Sequence, residues 1–225
     1  MKDTERRAAL MAAEARGMKL FDRVEALGLI APGRTERAVT EDIYALAEKE
    51  FGVKQHWHKR IVRAGPNTVT TYYDEPADRM IAADDTVYLD FGPVFEEWEA
   101  DLGRSYALGR DPEKKRLVAD LERIFSIVQT QYWARPAMTG AELYDLAKAE
   151  AEKAGWLFGN NSAGHIVGEF PHAQIPGNKD FNRIAAVNTD SMTSLDGKGR
   201  AKHWILEIHL VDKTRTFGGF YERLL

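Results

Sequence analysis

The sequence predicts an α+β fold of two similar halves, each running from two helices into antiparallel strands. Three observations predict it. Helical patterns come in pairs, at residues 4–29 with 36–51 and again at 112–133 with 140–154. Each pair is followed by short β-branched and aromatic runs separated by tight turns. Strands joined by turns pair antiparallel, whereas a parallel sheet needs a crossover helix between strands. The chain has 225 residues, 44% of them hydrophobic, which suffices for one large domain or two small ones.

The first helix carries Met11, Ala15, Met18, Phe21, Val24 and Leu27 at three- and four-residue steps, and Ala31-Pro32-Gly33 ends it. The second places Ala38, Ile43, Tyr44, Leu46 and Ala47 inside, and Gly52 stops it. Residues 60–63, 68–73 and 86–91 read as strands, with turns at Gly65-Pro66-Asn67 and Asp74-Glu75-Pro76. Phe91-Gly92-Pro93-Val94 breaks the third strand, and a return strand covers residues 98–107. In the second half, Thr139 is the expected N-cap of the fourth helix, with Glu142 completing a capping box and Gly155 closing the helix. Strands at 156–158, 166–170, 204–211 and 216–224 finish the chain.

Composition removes several classes of function. A net charge of −4, with Lys59, Arg60 and Arg63 as the nearest thing to a basic cluster, is no footprint for nucleic acid. No stretch approaches the ~18 apolar residues of a membrane span. The charged N-terminus has no secretory core, so the expected location is cytoplasmic. With no cysteine, metal binding falls to His, Asp and Glu.

Two hairpins concentrate acid inside apolar strands. A turn centred at Phe95-Glu96 sets Asp90 opposite Asp101, on β-carbons roughly 5 Å apart where like charges repel. Either a shared proton or a cation compensates, or the pair sits at a solvent-exposed edge; the run Val87-Tyr88-Leu89 before Asp90 argues for burial. A turn near Thr214-Arg215 likewise sets Glu207 opposite Glu222, with Glu207 inside Trp204-Ile205-Leu206 and Ile208. A buried lone carboxylate is costly unless paired or bound to metal. Four carboxylates match two divalent cations, and metal pairs about 3.5–4 Å apart are a recurrent hydrolytic device. One imidazole would complete the cage. His165 and His172, flanked by Gly164 and Gly168, are the candidates, although histidines near glycines are also common at surfaces.

These segments resemble the pita-bread metallopeptidases, the group of methionine aminopeptidase, aminopeptidase P, prolidase and creatinase. The similarity rests on DFGPVFEEWEADLGRSYALG around Asp90 and Asp101, GHIVGEFPH around His165 and His172, and the closing strands LEIHL and FYERLL. Gly33-Arg34-Thr35-Glu36 and AGPNT resemble the family's PGxTE and SGPN segments. The resemblance implies a single pita-bread catalytic domain over residues 1–225, without the N-terminal domain of the larger relatives. It implies Asp90, Asp101, His165, Glu207 and Glu222 as ligands of two divalent ions (Mn, Co, Fe or Zn), with Asp101 and Glu222 bridging. It further implies a metal-activated water, Glu207 as general base and His172 at the scissile group. The expected substrate is a small peptide or amide, cleaved at an N-terminal residue or an Xaa-Pro bond, and the expected assembly is a homodimer. Alternatives are a non-peptide C–N hydrolase or lyase, or a non-catalytic binding module.

The chain departs from this pattern at substrate-facing positions. Tyr73 stands where the family places the histidine of a His-Gly pair, and is read either as its replacement or as pocket lining. Ile166 follows the ligand histidine. His209 shares the strand face of Glu207 and is either a polar contact in the site or a hydrogen-bonded core residue. His56 and His58 are expected on one strand face near the pocket mouth or a partner surface, with a separate metal site as the alternative. Glu96, Glu97 and Glu99 read as a solvated turn, or as an acidic field for a cationic amino terminus.

Overall fold

A computed structural model describes residues 1–59 and 61–225. Arg60, the first residue of a predicted strand and one of the basic positions, lies outside the described residues. Four helices occur where the periodicity places them: α1 (Asp3–Ala26), α2 (Glu36–Phe51), α3 (Pro112–Ala134) and α4 (Gly140–Lys153). α1 ends three residues earlier than predicted. Gly28 adopts φ +61°, its N–H donates to Glu25 O at 2.9 Å, and Leu29 N–H donates to Val24 O at 3.1 Å. That local glycine cap ends the helix before the Pro-Gly pair is reached. Gly52 caps α2 as expected, and Thr139 with Glu142 forms the predicted capping box on α4.

The strands are β1 (Ile61–Ala64), β2 (Thr86–Phe91), β3 (Val94–Phe95), β4 (Trp98–Glu99), β5 (Leu102–Ala107), β6 (Leu157–Phe158), β7 (Ile166–Val167), β8 (His203–Val211) and β9 (Gly218–Leu224). Seven of them make one antiparallel sheet in the order β1-β2-β5-β9-β8-β6, with β7 also paired to β8. The order is mirrored: each half runs from an outer strand to an inner one, and β5 meets β9 at the centre. One apolar core gathers α1 and α2 with the first-half strands around Phe21, Val39, Leu89 and Leu102. Another gathers α3 and α4 with the second half around Leu121, Leu143, Leu206 and Ile208. Strand residues of opposite parity, Asp90, Glu207 and Glu222 among them, are therefore left for the other face. Among the described residues no helix is long and apolar enough to cross a membrane.

Four expectations need correction. Asp90 pairs with Gly103, not Asp101. The hairpin turns at Glu96-Glu97, with Val94 opposite Glu99, Phe95 opposite Trp98 and Glu96 at φ +60°. Moving the turn centre by one residue moves every pairing by two, which preserves the face but not the partner. The predicted return strand is also broken between Glu99 and Leu102, and Asp101 lies in the break. Residues 68–73 are not a strand. Pro66 starts a 3-10 turn over Gly65–Val69, held by Thr68 Oγ1 donating to Gly65 O at 2.5 Å. The strand expected at 166–170 stops at Val167, because the next residues bond the hairpin tip: Glu99 N–H donates to Gly168 O at 3.2 Å and Phe170 N–H to Glu97 O at 2.8 Å.

Candidate metal centre

A row of facing residues crosses the middle of the sheet: Asp90 on β2, Gly103 on β5, Glu222 on β9 and Glu207 on β8. Directly paired residues point to one face, so three carboxylates and one glycine share that face. The Glu207–Glu222 pairing is the one read from the sequence. Gly103 is the gap that makes room: a Cβ there would lie 2.5 Å from the Phe220 ring and 3.0 Å from Glu222 Cβ. Asp101, two residues before Gly103, adds a fourth carboxylate beside the row.

Two imidazoles close over the acids. His165 Nε2 stands 3.1 Å from Asp101 Oδ2 and 3.7 Å from Glu207 Oε1, with Nδ1 fixed 2.7 Å from Ile166 O. His58 Nε2 stands 3.4 Å from Asp90 Oδ1 and 3.5 Å from Asp101 Oδ1. His56 goes elsewhere and stacks on Tyr44 with 3.9 Å between ring centroids. The two histidines thus diverge instead of sharing a strand face, because the segment carrying them is not a strand.

The electrostatics are those of charges removed from water. Burial pushes Glu207 up to about 7 and Asp90 to about 6. Burial, reinforced by Asp101, Asp90 and Glu207, holds Glu222 well above the usual carboxylate range. Burial also opposes ionisation of Asp101, but the His165 and His58 rings outweigh it and bring that carboxyl to about 2. Both histidines rise to about 9, against the effect of burial, through the same carboxylates.

The residues present fit a bound cation. Among the described residues, Asp101 Oδ2, Glu222 Oε2 and His58 Nε2 are buried without a hydrogen-bond partner. Each such atom costs about 1–3 kcal/mol when left unsatisfied. Two triads, His58-Asp90-Asp101 and Asp101-His165-Glu222, bring one donor atom per residue within 4.8 Å of one another and share Asp101. Hard oxygens with imidazole nitrogens are a donor set for first-row divalent ions.

The cluster floors a cavity of about 530 Å³, walled by Trp57, Tyr72, His172, Asn160 and Arg183 among others. His172 stacks on His165 at 5.1 Å and is held by Glu99, which accepts from its backbone N–H at 2.9 Å and lies 2.7 Å from its Nδ1. Glu99 is 1% exposed. It is therefore no part of a solvated turn, while Glu96 and Glu97 at the hairpin tip are exposed. His209 is buried in the cavity wall with Nε2 2.9 Å from Thr68 O and Nδ1 3.1 Å from Asn160 Oδ1, and burial lowers it to about 4. Tyr73 is 66% exposed at the mouth, its hydroxyl accepting from Arg183 Nη2 at 2.9 Å. Sequence reasoning missed Gly103, and named His58 only as a residue near the pocket mouth or of a separate metal site and Glu99 only as part of a solvated turn or acidic field. Gly103 carries a period-two signal, two places after Asp101 on the same face. Nothing in the sequence separates His58 from His56, or Glu99 from Glu96 and Glu97, as the residue that enters the site.

Paired helices behind a mirrored antiparallel sheet, with the acids of two hairpins meeting on the opposite face, define a pita-bread fold. The chain belongs to metallopeptidase family M24, whose profile matches residues 6–193. The crystal structure of a prolidase from Thermococcus sibiricus superposes with a TM-score of 0.72 at 21% identity, over 99% of this chain and 56% of that one. Methionine aminopeptidase from Thermotoga maritima gives 0.66 at 17% identity, over 95% of this chain and 88% of that one. An Xaa-Pro dipeptidase of Lactobacillus delbrueckii subsp. lactis is 29% identical over 144 residues, covering 62% of this chain and 39% of the relative. One from Pyrococcus horikoshii is 26% identical over 142 residues, with the same two shares. The match spans about two-fifths of the length of these curated relatives.

Proposed function

We propose that this chain is a metal-dependent peptidase that removes an N-terminal residue or cleaves an Xaa-Pro dipeptide. The observation that carries the reading is the cluster of unpartnered buried oxygens and nitrogens at the floor of the cavity, in a chain of a metallopeptidase family. Asp90, Asp101, His165, Glu207 and Glu222 would hold two divalent ions of manganese, cobalt, iron or zinc. Bound ions supply a water acidic enough to ionise near neutral pH and a Lewis acid for the amide carbonyl.

The chain's own groups do the rest. Glu207, a carboxylate at the cavity floor, would accept the proton of the attacking water. Glu99 orients the His172 ring and leaves its Nε2 for the scissile group. Trp57, edge-on to His58, His165 and His172, shields the floor from solvent. A second reading, non-peptide C–N hydrolysis or a lyase reaction on the same scaffold, draws on Tyr73, which puts a phenol tied to Arg183 where the sequence resemblance implies an imidazole.

The test is metal content by mass spectrometry on chelator-free protein, with hydrolysis of a dipeptide panel that includes Xaa-Pro, in wild type and Asp101→Ala. Bound metal and peptide cleavage, both lost in the variant, are expected. Metal without any peptide cleavage overturns the peptidase assignment in favour of the second reading, and absence of metal overturns both.

A further inference from the structure

His58 is outside the five-ligand set, yet its placement is as constrained as theirs. It lies between α2 and β1 on a segment laced to the chain that follows Asp90. Trp57 N–H donates to Gly92 O at 2.9 Å, Val94 N–H donates to Gln55 O at 2.9 Å, and His56 bridges to Pro93. Gly92 leaves the space: a Cβ there would stand 2.2 Å from His58 Cδ2 and 2.3 Å from Trp57 Nε1.

The protonation pattern of the ring follows from its contacts. Nδ1 is 2.6 Å from the Lys59 carbonyl, which can only accept, so Nδ1 carries the hydrogen. Nε2 is buried and has no hydrogen-bond partner among the described residues, and it faces Asp90 Oδ1 and Asp101 Oδ1 at 3.4 and 3.5 Å. Metal-bound imidazoles are commonly oriented in this way, with the remote nitrogen donating to a backbone carbonyl. Donors that share a first-row ion at about 2.1 Å stand about 3.0–3.4 Å apart in octahedral or tetrahedral arrangements. The observed separations, 3.4 and 3.5 Å, lie at and just beyond the upper end of that range.

We infer that His58 is a metal ligand through Nε2, so that the ion beside Asp90 has an imidazole of its own, as His165 serves the ion beside Glu222. The inference rests on the two-ion reading above and adds a sixth protein ligand to it. A nitrogen donor on the Asp90 side shifts that position away from all-oxygen coordination, toward ions that favour imidazole such as zinc and cobalt.

The experiment is a titration of metal-free protein with Co(II), followed by calorimetry and by visible absorption, for wild type and His58→Gln. Wild type is expected to take two equivalents. His58→Gln should bind one as wild type does and the other about 10–100-fold more weakly, with the absorption change confined to the weakened equivalent. Two equivalents bound by the variant with wild-type affinity and spectrum overturn the inference and leave the two-ion reading standing. Wild type that binds no ion overturns both. A measurement on wild type alone guards against a misfolded variant. Zn(II) binding should move the ring ¹⁵N signals of His58 from the metal-free to the metal-bound pattern, and unmoved signals at full occupancy overturn the inference.

Discussion

Single residues here are set by where charge is allowed to be. His203 is buried on β8 with Nε2 unpartnered among the described residues. Burial, then the Arg6 and Arg7 guanidiniums, lower it to about 4, against the opposing carboxylates of Asp3 and Glu169. Its folded value lies below the ordinary value near 6.5, so between roughly pH 6.5 and 4 the unfolded chain binds the extra proton. Stability from this residue is therefore full above that window and lost as pH falls through it. His203→Gln removes the effect. The stability gap between wild type and variant in denaturant melts should move by about 1–2 kcal/mol toward the variant between pH 7.5 and pH 5. An identical gap at both pH values would sink this account. Glu99 teaches a related point. In sequence it is one acid of three, and only its burial against His172 separates it from Glu96 and Glu97.

At the scale of elements, the sheet register makes the site. Two hairpins place acids on paired strands, and the central junction pairs Gly103 with Glu222. Gly103→Ala tests this. The added methyl has to displace the Phe220 ring and the Glu222 stem, both packed inside the sheet. A cost of about 1–3 kcal/mol is expected, as for other overpacked cores, with bound metal reduced as Glu222 moves. Denaturant melts in chelator isolate the first effect and metal analysis the second; unchanged values in both would show that the row tolerates a side chain. The helices were legible in the sequence at this scale because their signals are local, as the capping box of Thr139 and Glu142 shows. The β2–β5 register was not. It depends on which two residues form the turn, and Phe95-Glu96 and Glu96-Glu97 differ by one residue.

For the whole molecule, the acids come from both halves: Asp90 and Asp101 from the first, Glu207 and Glu222 from the second. Without a cation they repel across the β5–β9 junction, and part of that cost is relieved by raised carboxyl groups and charged imidazoles. Ions bound there would link the halves. At a free concentration one hundred times its dissociation constant, each ion adds about 2.7 kcal/mol to folding stability. A domain of this size shifts in Tm by roughly 2–4 °C per kcal/mol. Stripping with chelator should thus lower Tm by about 5–10 °C per ion, reversed on adding metal. A Tm indifferent to verified metal removal would show that the cluster is not a binding site in the folded protein.

The sequence by itself determined the helix pairs, the antiparallel class, the two similar halves and the pairing of Glu207 with Glu222. These depend on periodicity, caps and hairpins, in which the interacting residues are close along the chain. The tertiary structure alone decided that Gly103 stands in the row of acids, that Glu99 is buried against His172, and that His58 parts from His56 to face Asp90 and Asp101. Those facts depend on distant segments brought together, residues 55–57 against 92–94 and residues 97–99 against 168–170. A contact between segments far apart in the chain leaves no periodic mark on either one.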